Sequence, residues 1–118
     1  MKYFVIDIDK QTISNKNYRK VLYTTTKSQV VLMSLKPKQE IGKEKHNGDQ
    51  FFRIEKGSGL LILNGKKFKI KAGSAFVIPK GKYHNVINNG KSLLKLYTIY
   101  TPPQHKDKLV QKNKPSND

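Results

Sequence analysis

Apolar residues in this chain come in short runs and alternations broken by glycine, proline, asparagine and lysine, and they nowhere hold a helical period long enough to predict a helix. The pattern predicts strands at Tyr3 to Ile8, Lys20 to Thr25, Gln29 to Leu35, Gln50 to Lys56, Gly59 to Leu63, Phe68 to Ile70, Ala75 to Ile78, Tyr83 to Ile87 and Ser92 to Tyr100. Asn64-Gly65, between Leu63 and Lys66, is a type I′ hairpin signal, and Asn89-Gly90 marks another turn. Pro102-Pro103 breaks the last strand, and His105 to Asp118 is polar and lysine-rich, a mobile or draped tail. Many short strands without a helix predict an all-β sandwich or barrel.

Two of these strands are apolar on both faces: Val30, Val31, Leu32 and Met33 in one, and Leu94, Leu96, Tyr97, Ile99 and Tyr100 in the other. One face can fill a barrel. The other needs a cover, which either the N-terminal strand or a second subunit can supply.

The chain has 118 residues, the size of one domain able to bury roughly two-thirds of its unfolded surface. The expected division is a single domain over 1–103 and a tail over 104–118. Cysteine is absent, so no disulfide framework or thiolate chemistry is available, which fits a cytoplasmic protein. The opening MKYFVIDIDK is too short and too soon interrupted by Asp7 to be a signal peptide or a membrane span.

A net charge of +16, from 24 basic residues against 8 acidic ones, raises the question of nucleic acid. Only Arg19 and Arg53 are arginines, the lysines are spread along nearly every segment, and no familiar module is present, which argues against specific nucleic-acid binding. Weak, salt-sensitive attraction to any polyanion remains. The same field favours a small anionic substrate.

Candidate chemistry gathers in two segments. In GSAFVIPKGKYHNVIN, from Gly73 to Asn88, Pro79 ends a buried strand and Gly81 permits the bend after it. A new strand then puts His84 on one face with Val86, so a core-facing Val86 carries the imidazole inward with it. Alone, His84 reads as a satisfied core histidine. Upstream, however, Glu44, His46 and Gln50 share one parity with Phe52 and Ile54. If the Asn47-Gly48 turn keeps both strand pieces in one sheet, a carboxylate, an imidazole and an amide oxygen converge. Singly, Glu44 reads as a surface acid and Gln50 as a polar cap.

The downstream segment fits the spacing G-x5-P-x-G-x2-H-x3-N and resembles the second cupin motif (73–88). The upstream one, about 38–57, resembles the first, G-x5-H-x-H-x3,4-E-x6-G, with Gly57 at its terminal glycine. It departs at three places: Lys38 replaces the opening glycine, Glu44 the first histidine and Gln50 the carboxylate. Segments such as VLMSLKP, DQFFRIEKGSG and LKLYTIYTPP are similar to a group of small single-domain cupins often labelled mannose-6-phosphate isomerase-like. The resemblance implies a cupin jelly-roll barrel, that is, a double-stranded β-helix. It further implies a homodimer and a ligand set of Glu44, His46, Gln50 and His84.

Such a set suits one divalent transition metal ion: Zn, Mn, Fe or Ni. The function expected is binding of, or action on, a small anionic metabolite, with sugar-phosphate isomerase or epimerase chemistry first. The alternatives are an iron-dependent dioxygenase and a non-catalytic binding module, polyanion or nucleic-acid binding included. No acid presents itself as a base. Glu44 is already assigned, Glu55 and Asp49 have outward parity, and Asp7, Asp9, Glu40, Asp107 and Asp118 lie away from the motifs. Tyr83, Tyr97 and Tyr100 are candidate proton donors, although aromatic residues in strands read first as core or interface. His105 reads as a surface histidine, against which stands only the Pro-Pro-x-His ending that similar small cupins share.

Overall fold

The computed structural model describes residues 3–116, in which nine strands form two antiparallel sheets. The strands are β1 Arg19–Thr24, β2 Gln29–Leu35, β3 Asp49–Lys56, β4 Ser58–Leu63, β5 Lys66–Lys71, β6 Ala75–Ile78, β7 His84–Ile87, β8 Leu94–Thr101 and β9 Val110–Gln111. The larger sheet runs β6-β3-β8-β2-β1-β9 and the smaller β5-β4-β7. They face each other across the core, and the molecule is the jelly roll expected.

Register explains why the interior is apolar at one end and polar at the other. Residues directly opposite in antiparallel strands share a face, so Met33, Leu96 and Ile54 form one inward row and Val31, Thr98 and Phe52 the next. The third row is Gln29, Tyr100 and Gln50, with Ile78 beyond. The smaller sheet contributes Leu61, Ile70 and Val86 to the same core.

Gly57 sits between the two sheets at the turn from β3 to β4, with a φ of 89°. A Cβ there would lie 2.4 Å from the Leu93 carbonyl oxygen and 3.1 Å from Leu94 Cα, both backbone atoms. Gly57→Ala is therefore expected to cost about 3 kcal/mol, from left-handed strain plus a clash, read as a lowered urea midpoint at constant slope. An unmoved midpoint would show that the turn yields freely.

Three expectations need correction. Residues Tyr3 to Ile8 are not a strand. The chain has no sheet partner there and then forms a helix, α1 Ile8–Ser14, which the strand-only reading excluded. Asp7 caps it, its Oδ1 accepting from the Lys10 amide at 3.1 Å. At the other end Lys95, buried on β8, donates from Nζ to the Ile13 carbonyl, satisfying one of the orphan acceptors of the last turn. Burial first, and then the charges of Lys56 and Lys16, hold the Lys95 pKa below its usual range.

The second correction concerns the cover over the outer face of the large sheet. The N-terminal segment provides a partial one, in which Phe4 stacks on Tyr23 at 4.8 Å and Phe4, Ile6 and Ile8 border one hollow with Val30, Tyr97 and Ile99. Tyr3 and Val5 remain almost wholly exposed.

Third, the strand pattern does not end at Tyr100. β8 continues to Thr101, and the segment beyond Pro103 lies along the edge of the sheet, where β9 pairs with β1. Buried Gln29 fixes its course: its Oε1 accepts from the Gln104 and His105 amides and its Nε2 donates to the His105 carbonyl at 2.8 Å. No helix among the described residues is long and apolar enough to cross a membrane.

Candidate metal centre

Residues 40–46 run antiparallel to β7 along the edge of the smaller sheet. Ile41 donates to Val86, and Glu44 and His84 exchange both backbone hydrogen bonds at 3.0 and 2.9 Å. Such a pair carries its side chains on one face, and His84 points inward as Val86 does. Gly81 then ties the opposite turn down by donating to the His46 carbonyl at 2.9 Å. Asp49 Oδ1 accepts from the Lys80 amide at 3.0 Å, which closes the corner.

The convergence thus arises differently from the sequence expectation. Asn47 and Gly48 do not keep the two pieces in one sheet: Glu44 bridges to the smaller sheet, whereas Gln50 lies on β3 of the larger one. Parity was right within each piece, but the side chains meet across the sandwich.

Glu44, His46 and His84 bring one ligand atom each within 4.8 Å of one another. His46 donates from Nε2 to Glu44 Oε1 at 3.1 Å, and His84 Nε2 stands 3.8 Å from the same oxygen. Burial alone would raise the Glu44 carboxyl. The hydrogen bond and charge of His46, with His84 and Arg19, outweigh it and hold the group below its usual range. Burial pushes His84 down, partly opposed by the Lys82 carbonyl and Glu44, so its imidazole favours the neutral form that a metal requires.

Two buried lone pairs have no hydrogen-bond partner. The Lys82 carbonyl can only accept, so the contact from His84 Nδ1 at 3.1 Å places the proton on Nδ1 and leaves Nε2 bare. Thr98 Oγ1 donates to the Phe51 carbonyl at 2.8 Å and must therefore accept from Gln50 Nε2 at 3.0 Å. This orients the Gln50 amide and leaves its Oε1 buried without a donor. Unsatisfied acceptors of this kind are costly unless something occupies them. Two unpaired acceptors beside a carboxylate and a second imidazole fit a borderline divalent cation.

The sequence names Tyr100 as a candidate proton donor but not its link to His105. Tyr100 packs its ring edge-on to His46 at 5.4 Å between centroids, and its hydroxyl shares a 3.2 Å hydrogen bond with His105 Nε2. Burial, with the charge of Glu44 added, pushes the Tyr100 hydroxyl well above its usual pKa. His105 is thus not a plain surface histidine; the Pro-Pro-x-His ending was the one available signal. Tyr83 lies outside, with Lys43 and Lys45 ammonium groups 4.9 and 5.0 Å from its ring centroid. Tyr97 lies on the outer face. Phe52 stacks on Phe76 at 4.8 Å and meets His84 edge-on at 6.2 Å, forming the apolar wall of the site.

The "Cupin domain" family matches residues 31–100, a span holding both motifs. The chain belongs to the cupin family. This cupin is 38% identical to BH2720 of Bacillus halodurans, whose crystal structure superposes with a TM-score of 0.92 over 94% of this chain and 89% of that one. It is 44% identical over 111 residues to the uncharacterized protein YrkC of Bacillus subtilis, covering 88% of this cupin and 60% of YrkC, so it spans well under the full length of that relative. A Thermotoga maritima structure described as a predicted oxalate decarboxylase is 28% identical, with a TM-score of 0.62 over 66% of this cupin and 69% of that chain.

Proposed function

We propose that this cupin holds one divalent transition-metal ion on Glu44, His46, Gln50 and His84 and binds or acts on a small anionic metabolite there. The observation that carries the reading is the pair of buried, unpartnered lone pairs on Gln50 Oε1 and His84 Nε2 beside the Glu44 and His46 pair. A bound ion supplies a Lewis acid able to polarise a carbonyl or carboxylate oxygen. The chain's own groups supply the rest. Phe52 and Phe76 exclude water from one side, and the lysine-rich surface draws anions toward the molecule.

Isomerase or epimerase chemistry needs a group that moves a proton between neighbouring carbons. The Tyr100 hydroxyl, hydrogen-bonded to a half-buried His105, supports that reading, because it links the interior to the surface through two exchangeable protons. A carboxylate substrate is the second reading, favoured by the likeness to the predicted oxalate decarboxylase. Metal-loaded protein incubated with sugar phosphates in D2O is expected to place deuterium beside the substrate carbonyl, and Tyr100→Phe to slow this about a hundredfold or more. Oxygen uptake by the iron-loaded protein would instead favour a dioxygenase. Metal-dependent ligand binding with neither outcome would leave a binding module.

A further inference from the structure

On the outer side of the large sheet, away from the barrel interior, the C-terminal segment crosses the ends of β1 and β2 and leaves a hollow of about 150 Å³. Four lysines wall it, Lys16, Lys36, Lys112 and Lys114, together with Tyr18, Ser34, Gln39, Leu93 and Asn113, and no carboxylate side chain among the described residues lines it. We propose that this hollow is a second ligand site, separate from the metal centre, that takes the phosphate group of a small phosphomonoester or free phosphate.

Its floor is built rather than incidental. Tyr18 and Ser34 are 2% and 7% exposed, and the backbone joins them, the Ser34 amide donating to the Tyr18 carbonyl. Ser34 sits opposite Lys95 on β8, so it faces outward, whereas its neighbour Met33 faces the core. No described residue hydrogen-bonds the Ser34 hydroxyl. The Gln39 Oε1 accepts from the Lys36 amide at 2.8 Å, leaving only the donor end of that amide for the hollow. Lys114 Nζ is held by the Glu40 carbonyl, and the Lys112 carbonyl accepts from the Tyr18 amide at 3.2 Å. The tail is thereby anchored with its lysines against those of the body.

The four lysines, the Ser34 hydroxyl and the Gln39 amide nitrogen are donors, the lysines as cations. Four lysines around one hollow raise the local positive potential, and a ligand rich in acceptors offsets it with charge-assisted hydrogen bonds. A tetrahedral dianion offers more oxygens to such donors than a carboxylate does. The volume holds about five waters at roughly 30 Å³ each, enough for one phosphoryl group and too little for a nucleic-acid strand.

The test is an amide-resolved NMR titration with inorganic phosphate and, separately, glycerol phosphate, at about 0.15 M salt, where long-range attraction is screened. Saturable shifts are expected at Lys36, Gln39 and Lys112 to Lys114. A Lys36→Ala/Lys112→Ala variant should bind roughly tenfold more weakly or worse. A Lys67→Ala/Lys69→Ala control on β5 should bind as the wild type does. His84→Ala should also bind normally, so failure of the metal reading and failure of this one are distinguishable. Tighter saturation by glycerol phosphate assigns the site to an organic phosphomonoester, and equal saturation to phosphate itself. Shifts that do not saturate, that spread over all lysine segments, or that fall equally in the control would overturn the proposal. Binding of an oligonucleotide alone would overturn it too.

Discussion

His84→Ala is expected to emerge from a chelator-free purification without metal, while the tag-free wild type carries roughly one equivalent. The substitution removes an imidazole whose Nε2 is fixed as a bare lone pair by the Lys82 carbonyl. It leaves Gln50 Oε1 and Glu44 with only His46 as a nitrogen partner. Loss of an orienting neighbour alone typically costs 10- to 100-fold in metal affinity, so loss of a ligand should exceed about a hundredfold. His46→Ala should behave alike. The backbone exchange between Glu44 and His84 involves no side chain, so circular dichroism should remain that of the wild type. A folded wild type that neither carries nor can be loaded with an ion would sink the metal proposal, leaving a cupin scaffold with an organic pocket.

Phe52→Ala should cost about 3–5 kcal/mol, the usual range for emptying a buried phenylalanine site. Phe52 is fully buried, stacks on Phe76, lies opposite Thr98 on β8 and meets His84 of the small sheet edge-on. Neighbouring β-strands cannot easily collapse into the space, because their register is fixed on both sides of β3. A urea midpoint lowered at constant slope would register the loss. Phe52→Leu should cost much less, about 1–1.5 kcal/mol. A shift below about 1 kcal/mol for alanine would mean that the core relaxes around the gap and that Phe52 does not set the spacing of the sheets.

Legibility in the sequence followed how local each signal was. β2 and β6 have the bounds the apolar runs predict, because buried strands flanked by turn residues declare themselves. α1 did not, since Phe4, Ile6 and Ile8 alternate as a strand would and the helix buries a polar residue, Thr12. β9 is two residues long with no apolar run to reveal it. At the site, motif spacing named Glu44, His46 and His84, which the structure brings together. Parity could not tell which sheet each piece joins. The position of His105 depends on Gln29, far away in sequence, and no local pattern encodes that clamp.

Because Glu44 and His84 belong to one sheet and Gln50 to the other, an ion held by all of them would act as a rivet through the sandwich. Opening the two layers would then require releasing the ion. Its affinity would enter the breathing of the barrel as RT ln(1 + [M]/Kd), where [M] is the free ion concentration. Amide hydrogen exchange in β7 and β3 would slow together as the ion is supplied and quicken together as it is withdrawn, two strands on opposite walls sharing one clock.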